Sequence, residues 1–196
     1  MKSLTSLIAC IGFLLAVQPV AAVEVEGFQV PESIQLDGQP LLRNGVAIRK
    51  LAVFKMEVAS LYLTSLQNSL EGVTAVKGPK RLRLVMLRDV PSQLLSRKFL
   101  HDFQSVSTAV EWGALANEVT ALNAMFAATG GISKGDIVTL DWLPEKGLSI
   151  ALNGKQLSAQ PLNNELVYQI ILRIFLGPDA QASAREQLLG LKPVEG

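Results

Sequence analysis

Apolar and polar positions alternate with a period of two through much of the first half of the chain, the spacing of a half-buried strand. Asp37-Gly38 separates Ile34-Gln35-Leu36 from Leu41-Leu42 and predicts a hairpin. Asn44-Gly45 predicts a second turn. Residues 46–63 then read as one long extended stretch, bent near Lys50. On it Phe54, Met56, Val58 and Tyr62 share one parity and one face, and Arg49, Lys55 and Glu57 share the other. Asn68 is positioned to cap a short helix that ends near Gly78. Residues 80–90 predict a further strand, with Leu82, Leu84 and Met86 alternating against Arg81, Arg83 and Val85.

The period then changes. Pro91 suits a first helical turn. Leu95, Phe99 and Phe103 recur at helical spacing, and Val106 extends their stripe. Trp112, Leu115, Val119, Leu122 and Phe126 make a second stripe, which Gly130-Gly131 ends. Strand signals return over 136–143 and 148–152, around a turn at Pro144-Glu145-Lys146-Gly147. Asn153-Gly154 turns again into 155–157. Asn163 or Asn164 caps a helix through Leu176 whose polar stripe is Glu165, Gln169 and Arg173 alone, so most of its circumference is buried. Gly177-Pro178 breaks it, and a last helix stops at Gly190. Strands, helices, strands and helices in that order predict an α+β domain, an antiparallel sheet with helices layered on one face.

The first residues do not belong to that pattern. Lys2 precedes an apolar run from Leu7 to Val17, and Val20-Ala21-Ala22 supplies the small residues a signal peptidase reads. The run is shorter than the roughly 20 residues that span a bilayer. A secretory signal peptide over 1–22 and a single domain over 23–196 are therefore expected. Leu7-Ile8-Ala9-Cys10 resembles a lipoprotein box, but Cys10 sits in the middle of the apolar run. Cleavage near Ala22 removes Cys10, the only cysteine, so the mature chain has no disulfide and no thiolate. Periplasmic or secreted localisation follows as the expectation.

Charge narrows the partners. The formal net charge is +1 over the whole sequence, and loss of Lys2 brings it to zero. No basic stripe marks a nucleic-acid surface. No second apolar span suggests a transmembrane segment in the mature chain.

Catalytic chemistry is sparse. His101 is the only histidine, and its position with Arg97 and Gln104 puts it on the solvent side of its helix. That argues against a Ser-His-Asp or Cys-His arrangement. Clustered His and Cys ligands for a metal are missing, as are glycine-rich phosphate loops. Asp136 and Asp141 make no convincing carboxylate pair. No catalytic residue, metal or cofactor is expected.

Several segments in order resemble the bacterial chalcone isomerase-like proteins. They are Asn44-Gly45-Val46-Ala47-Ile48-Arg49, Phe54-Lys55 through Ser60-Leu61-Tyr62-Leu63, and Lys80-Arg81-Leu82 with Met86-Leu87-Arg88-Asp89-Val90. Lys134-Gly135-Asp136, Gly147, Leu152-Asn153-Gly154, Ile174-Phe175-Leu176-Gly177 and Leu188-Leu189-Gly190 complete the set. The resemblance implies a chalcone isomerase-like fold, with a ligand cleft between sheet and helices. The family holds plant enzymes that close a chalcone to a flavanone and fatty-acid-binding members without that activity. In both, an arginine faces the cleft, and here that arginine is Arg49. The position that is threonine in the plant enzymes, and often tyrosine in bacterial relatives, is Glu57. The cleft tyrosine of the first long helix is replaced by Phe99 or Phe103. Asn164 falls near a polar cleft position before the penultimate helix.

Arg49 has two bland readings, a surface arginine and an internal partner of Glu57. Those two residues share a face in a regular strand, but eight residues span about 26 Å, so a bend or a neighbouring strand must bring them together. The functional reading is a guanidinium at the base of an apolar cleft, holding a carboxylate. The expected function is non-catalytic binding of a fatty acid or similar amphipathic anion. Its candidate site residues are Arg49, Glu57, Phe99, Phe103 and Asn164. The alternatives are an isomerase of the chalcone isomerase type and a structural or partner-binding protein with a closed cleft.

Overall fold

Local turn chemistry sets the strand order. The computed structural model describes residues 22–158 and 160–194. Strand β1 (Ala22–Val25) pairs antiparallel with β2 (Phe28–Pro31) across Glu26-Gly27, both at positive φ. Next comes a meander of seven antiparallel strands in sequence order: β3 (Ser33–Leu36), β4 (Gln39–Leu51), β5 (Phe54–Leu63), β6 (Lys80–Met86), β7 (Ile137–Leu143), β8 (Gly147–Leu152) and β9 (Lys155–Gln156). Asp37-Gly38 and Asn153-Gly154 turn with both residues at positive φ, the geometry that suits the strands' own twist. The expected leader lies outside the described residues apart from Ala22.

The helices come in two groups. Between β5 and β6 lies α1 (Leu70–Ala75), capped by Ser69, one residue after the expected Asn68. Between β6 and β7 lie α2 (Ser92–Ser105), α3 (Ala109–Ala114) and α4 (Ala116–Ala128). The second apolar stripe is therefore carried by two helices that meet at Leu115, not by one. After β9 come α5 (Glu165–Leu176), capped by the Asn164 side chain, and α6 (Ala182–Leu188).

The two faces of the sheet differ. Ala47, Ala59, Leu61, Leu82 and Leu140 face the helices and share a core with Phe103, Leu122, Ile171 and Phe175. Val46, Ile48, Val58, Tyr62 and Val85 face the other way and pack with Val25 and Val30 of the β1–β2 hairpin. Helices cover one face, as expected; the N-terminal hairpin over the other was not signalled by alternation, because its strands have only four residues each.

Three expectations are corrected. Asn44-Gly45 is no turn: β4 runs through it as a bulge, with Arg43 opposite Tyr62 and Gly45 opposite Leu61. The extra residue, Asn44, is buried and donates from Nδ2 to the carbonyls of Gln67 (2.9 Å) and Leu188 (2.8 Å). Its Oδ1 accepts from the Gln67 amide at 2.6 Å. It thereby ties the sheet to the loop before α1 and to the end of α6. Secondly, residues 46–63 are not one bent strand but the hairpin β4–β5, which turns at Ala52-Val53 with Ala52 at φ 54°. Thirdly, Met56 departs from the parity of Val58 and Tyr62. A second bulge sets Arg49 opposite Glu57 and Lys50 opposite Lys55, so Met56 is an extra residue and packs toward the helices.

Ion pairs brace the helical layer. Arg173 of α5 makes a two-point contact with Glu111 of α3, at 2.8 and 2.9 Å. Asn164 donates to Glu118 of α4 at 2.8 Å. These contacts hold α5 against α3 and α4, and α5 in turn forms one wall of the cleft described next.

Candidate functional site

The β4–β5 hairpin, the strands β6 and β7, and helices α2, α4 and α5 enclose a cleft of about 170 Å³. Sheet residues Leu84, Met86, Val138 and Leu140 line it from one side. Leu95 and Phe99 of α2, Phe126 of α4, and Ile171 and Phe175 of α5 line it from the other. Phe99 packs on Phe126 with ring centroids 4.9 Å apart, which joins α2 to α4. The surface is apolar because strand alternation and the helical stripes turn their apolar sides to one another here.

Charge enters the cleft from the β4–β5 hairpin and from α2. The bulged hairpin brings Arg49 and Glu57 together, with Nη1 and Oε1 3.0 Å apart. Their side chains are 20 % and 14 % exposed. The Arg49 guanidinium also lies 4.1 Å from the centre of the Phe175 ring, a cation–π contact. Lys98 and Asp102, one turn apart on α2, pair with each other at 2.7 Å and line the same cleft. Burial pushes the Glu57 carboxyl above its usual range; Arg49 and Lys98 oppose that shift and Asp102 adds to it.

The candidate residues separate. Arg49, Glu57 and Phe99 line the cleft together. Phe103 is fully buried and meets it only through Phe99, at 5.5 Å between ring centroids. Asn164 stands apart: its side chain accepts from the Leu166 amide as the cap of α5 and donates to Glu118. Of the two phenylalanines, Phe99 is the one that lines the cleft. Sequence reasoning missed Lys98, Asp102, Met56 and Phe175. The four-residue spacing of Lys98 and Asp102 is the local signal available for a helical pair, but only the fold brings that pair to the cleft.

Hydroxyls do not reach the cleft: among the described residues lining it there is no serine, threonine or tyrosine. Tyr62 donates to the Pro31 carbonyl at 3.0 Å on the other face of the sheet. Tyr168 is buried against Trp142, with ring centroids 6.0 Å apart. His101 is exposed. No group of three or more metal-ligating side chains occurs among the described residues.

An antiparallel seven-strand meander with helices on one face and an apolar cleft between the layers defines the class of protein. A chalcone isomerase-like family profile matches residues 22–190, and the chain belongs to that family. The fold is similar to the crystal structure of an Arabidopsis thaliana fatty-acid binding protein, with a TM-score of 0.69 and 16 % identity. That similarity covers 86 % of this chain and 96 % of the plant protein. A comparison with curated protein sequences found no match.

Proposed function

We propose that this protein binds a fatty acid or similar amphipathic anion without transforming it, after export to the periplasm or beyond and cleavage near Ala22. The observation that carries the reading is an apolar cleft with one guanidinium, Arg49, at its polar end. The fatty-acid binding protein of similar fold supports it. Each buried methylene contributes about 0.8 kcal/mol, so the tail supplies most of the affinity. The carboxylate adds about 1.5–3 kcal/mol through a charged hydrogen bond and sets the orientation.

Two features shape the binding. Sites that enclose a drug-sized ligand measure about 300–1,000 Å³, and this cleft of about 170 Å³ is smaller. A long tail therefore enters by rearranging flexible lining residues such as Met56 and Met86. The second feature is Glu57, which already occupies Arg49. The ligand carboxylate must displace it or share the guanidinium with a protonated Glu57.

The test is calorimetric titration of delipidated protein with palmitate. Saturable one-to-one binding with a negative heat-capacity change is expected. No heat with any chain length overturns the reading. A second reading, a cleft that serves packing alone, draws on the closure of Arg49 upon Glu57 and predicts that null result.

A further inference from the structure

Among the described residues, eight large apolar side chains are exposed, and four of them gather at one end of the molecule. Leu51 (44 % exposed), Val53 (83 %) and Phe54 (51 %) form the tip of the β4–β5 hairpin, where Leu51 and Phe54 are cross-strand partners. Leu94 (36 %) projects from the first turn of α2. Leu51 and Leu94 also line the cleft, so the exposed patch and the cleft lining are continuous. Ala52 at φ 54° makes the turn tight, which presents Val53 at its outermost point. A monomer has no use for Val53 and Phe54 in water; grouped exposed apolar side chains mark an interaction surface.

The charges around the tip have one sign in excess. Lys50 precedes Leu51 in the chain. The Arg88 guanidinium sits 4.5 Å from the centre of the Phe54 ring. Arg97 lies one helical turn from Leu94. None of these three cations takes part in an ion pair among the described residues. The acids nearby are engaged: Glu57 with Arg49, Asp102 with Lys98, and Glu26 with Lys55. Asp89 accepts from the Lys134 amide at 2.7 Å and keeps its charge, so three unpaired cations face one acid.

We propose that this end of the molecule docks on the surface of an anionic lipid bilayer, with the hairpin tip entering the headgroup region and Lys50, Arg88 and Arg97 meeting the lipid phosphates. A narrow apolar tip ringed by unpaired cations is complementary to a soft anionic interface that closes around it. A protein partner would instead need a pocket shaped to the protruding tip, whereas a headgroup layer closes around it. The cleft lining reaches this end through Leu51 and Leu94. An acyl tail then passes between bilayer and cleft with little exposure to water, a consequence that rests on the proposed function.

Co-sedimentation of delipidated protein with vesicles tests the docking without any fatty acid. Vesicles of phosphatidylcholine are compared with an equal mixture of phosphatidylcholine and phosphatidylglycerol. A net excess of two positive charges at roughly fivefold each gives the anionic vesicles a preference on the order of twentyfold, and added salt lowers it. Val53→Asp weakens binding about tenfold or more. Arg88→Gln and Arg97→Gln each weaken binding to anionic vesicles about fivefold. Val53, Arg88 and Arg97 do not line the cleft, so each variant keeps the wild-type response to palmitate in solution. Wild-type protein that stays in the supernatant with anionic vesicles, or Val53→Asp that sediments like wild type, overturns the proposal. Self-association that Val53→Asp abolishes, without vesicle binding, also overturns it and assigns the tip to a second copy. Vesicle binding without palmitate binding leaves the docking surface standing and sinks only the reading of the cleft.

Discussion

Arg49 and Glu57 are cross-strand partners on adjacent strands of one hairpin, with Nη1 and Oε1 3.0 Å apart. Eight positions separate them in the chain, and the turn at Ala52-Val53 folds that distance to a contact. The pair keeps a guanidinium at the edge of an apolar cleft without leaving it uncompensated. It also sets a competitor in the place a ligand carboxylate would take.

The first prediction concerns Arg49. Arg49→Ala removes the charged partner of a fatty acid and leaves the tail contacts in place. Its palmitate affinity falls about tenfold, the worth of one charged hydrogen bond. The single variant also strands Glu57 in a mostly buried site, at a cost of up to about 3–5 kcal/mol. The Arg49→Ala/Glu57→Gln double variant relieves that cost and is the one to titrate. An affinity in the double variant equal to that of Glu57→Gln alone removes Arg49 from the carboxylate role.

Glu57 gives a pH-dependent prediction. Its folded-state pKa is raised above the unfolded value by burial. Its stabilising contribution is therefore fully present below the unfolded value of 4.5 and lost as pH rises through the folded one. Glu57→Gln mimics the protonated form. Its Tm relative to wild type rises with pH above 4.5, and the pH-dependent part of the difference vanishes below it. Palmitate binding by wild type weakens over the same rise as Glu57 ionises against the ligand, while Glu57→Gln holds its affinity. Parallel Tm curves for the two proteins across this window refute the assignment.

Gly45 supplies a structural prediction. A Cβ there would run into the carbonyl oxygens of Gln187 and Leu188, which are backbone atoms and cannot swing aside. Gly45→Ala therefore costs about 1–3 kcal/mol, the usual range for overpacking. Denaturant titration reads it as a lower midpoint with an unchanged slope. A midpoint equal to wild type shows that α6 does not close on the bulge this tightly.

Local signals were legible wherever the local sequence decided the backbone. Asp37-Gly38 and Asn153-Gly154 turn as their residue types dictate. Leu95 and Phe99 point where their spacing puts them. Asn44-Gly45 has the same turn chemistry and makes a bulge instead, because Asn44 is held by Leu188, 144 positions away. No window around Asn44 contains that information. Ala52-Val53 has no turn-forming residue, so the hairpin that builds the site was unreadable locally. The Arg49 and Glu57 candidates came from the family resemblance, and their contact came from the topology. Phe103 belongs to the core because helix phase, which spacing leaves open by a residue or two, decides which side chain meets the cleft, whereas Asn164 caps α5, a role its residue type already offered.

The last prediction is that the protein does not isomerise chalcones. Ring closure requires the substrate phenolate to be held near the enone and requires donors where the enolate charge develops. Arg49 is one donor, already engaged by Glu57 at 3.0 Å. An ionised Glu57 repels both phenolate and enolate, and a protonated one supplies a weaker donor than a second cation. The lining offers no hydroxyl to order a water or polarise the ketone. Tyr62 is spent on the Pro31 carbonyl across the sheet, and Tyr168 packs on Trp142 outside the cleft lining. Two further cations line the cleft: Asp102 holds Lys98 at 2.7 Å, and Lys50 is exposed to solvent at the rim. A lost oxyanion donor costs about 10²–10³ in rate, and here the missing hydroxyl network and the acid beside Arg49 act in the same direction. Chalcone absorbance is followed with micromolar protein against buffer, and the two decays coincide. A rate clearly above buffer that disappears in Arg49→Ala makes the cleft an active site.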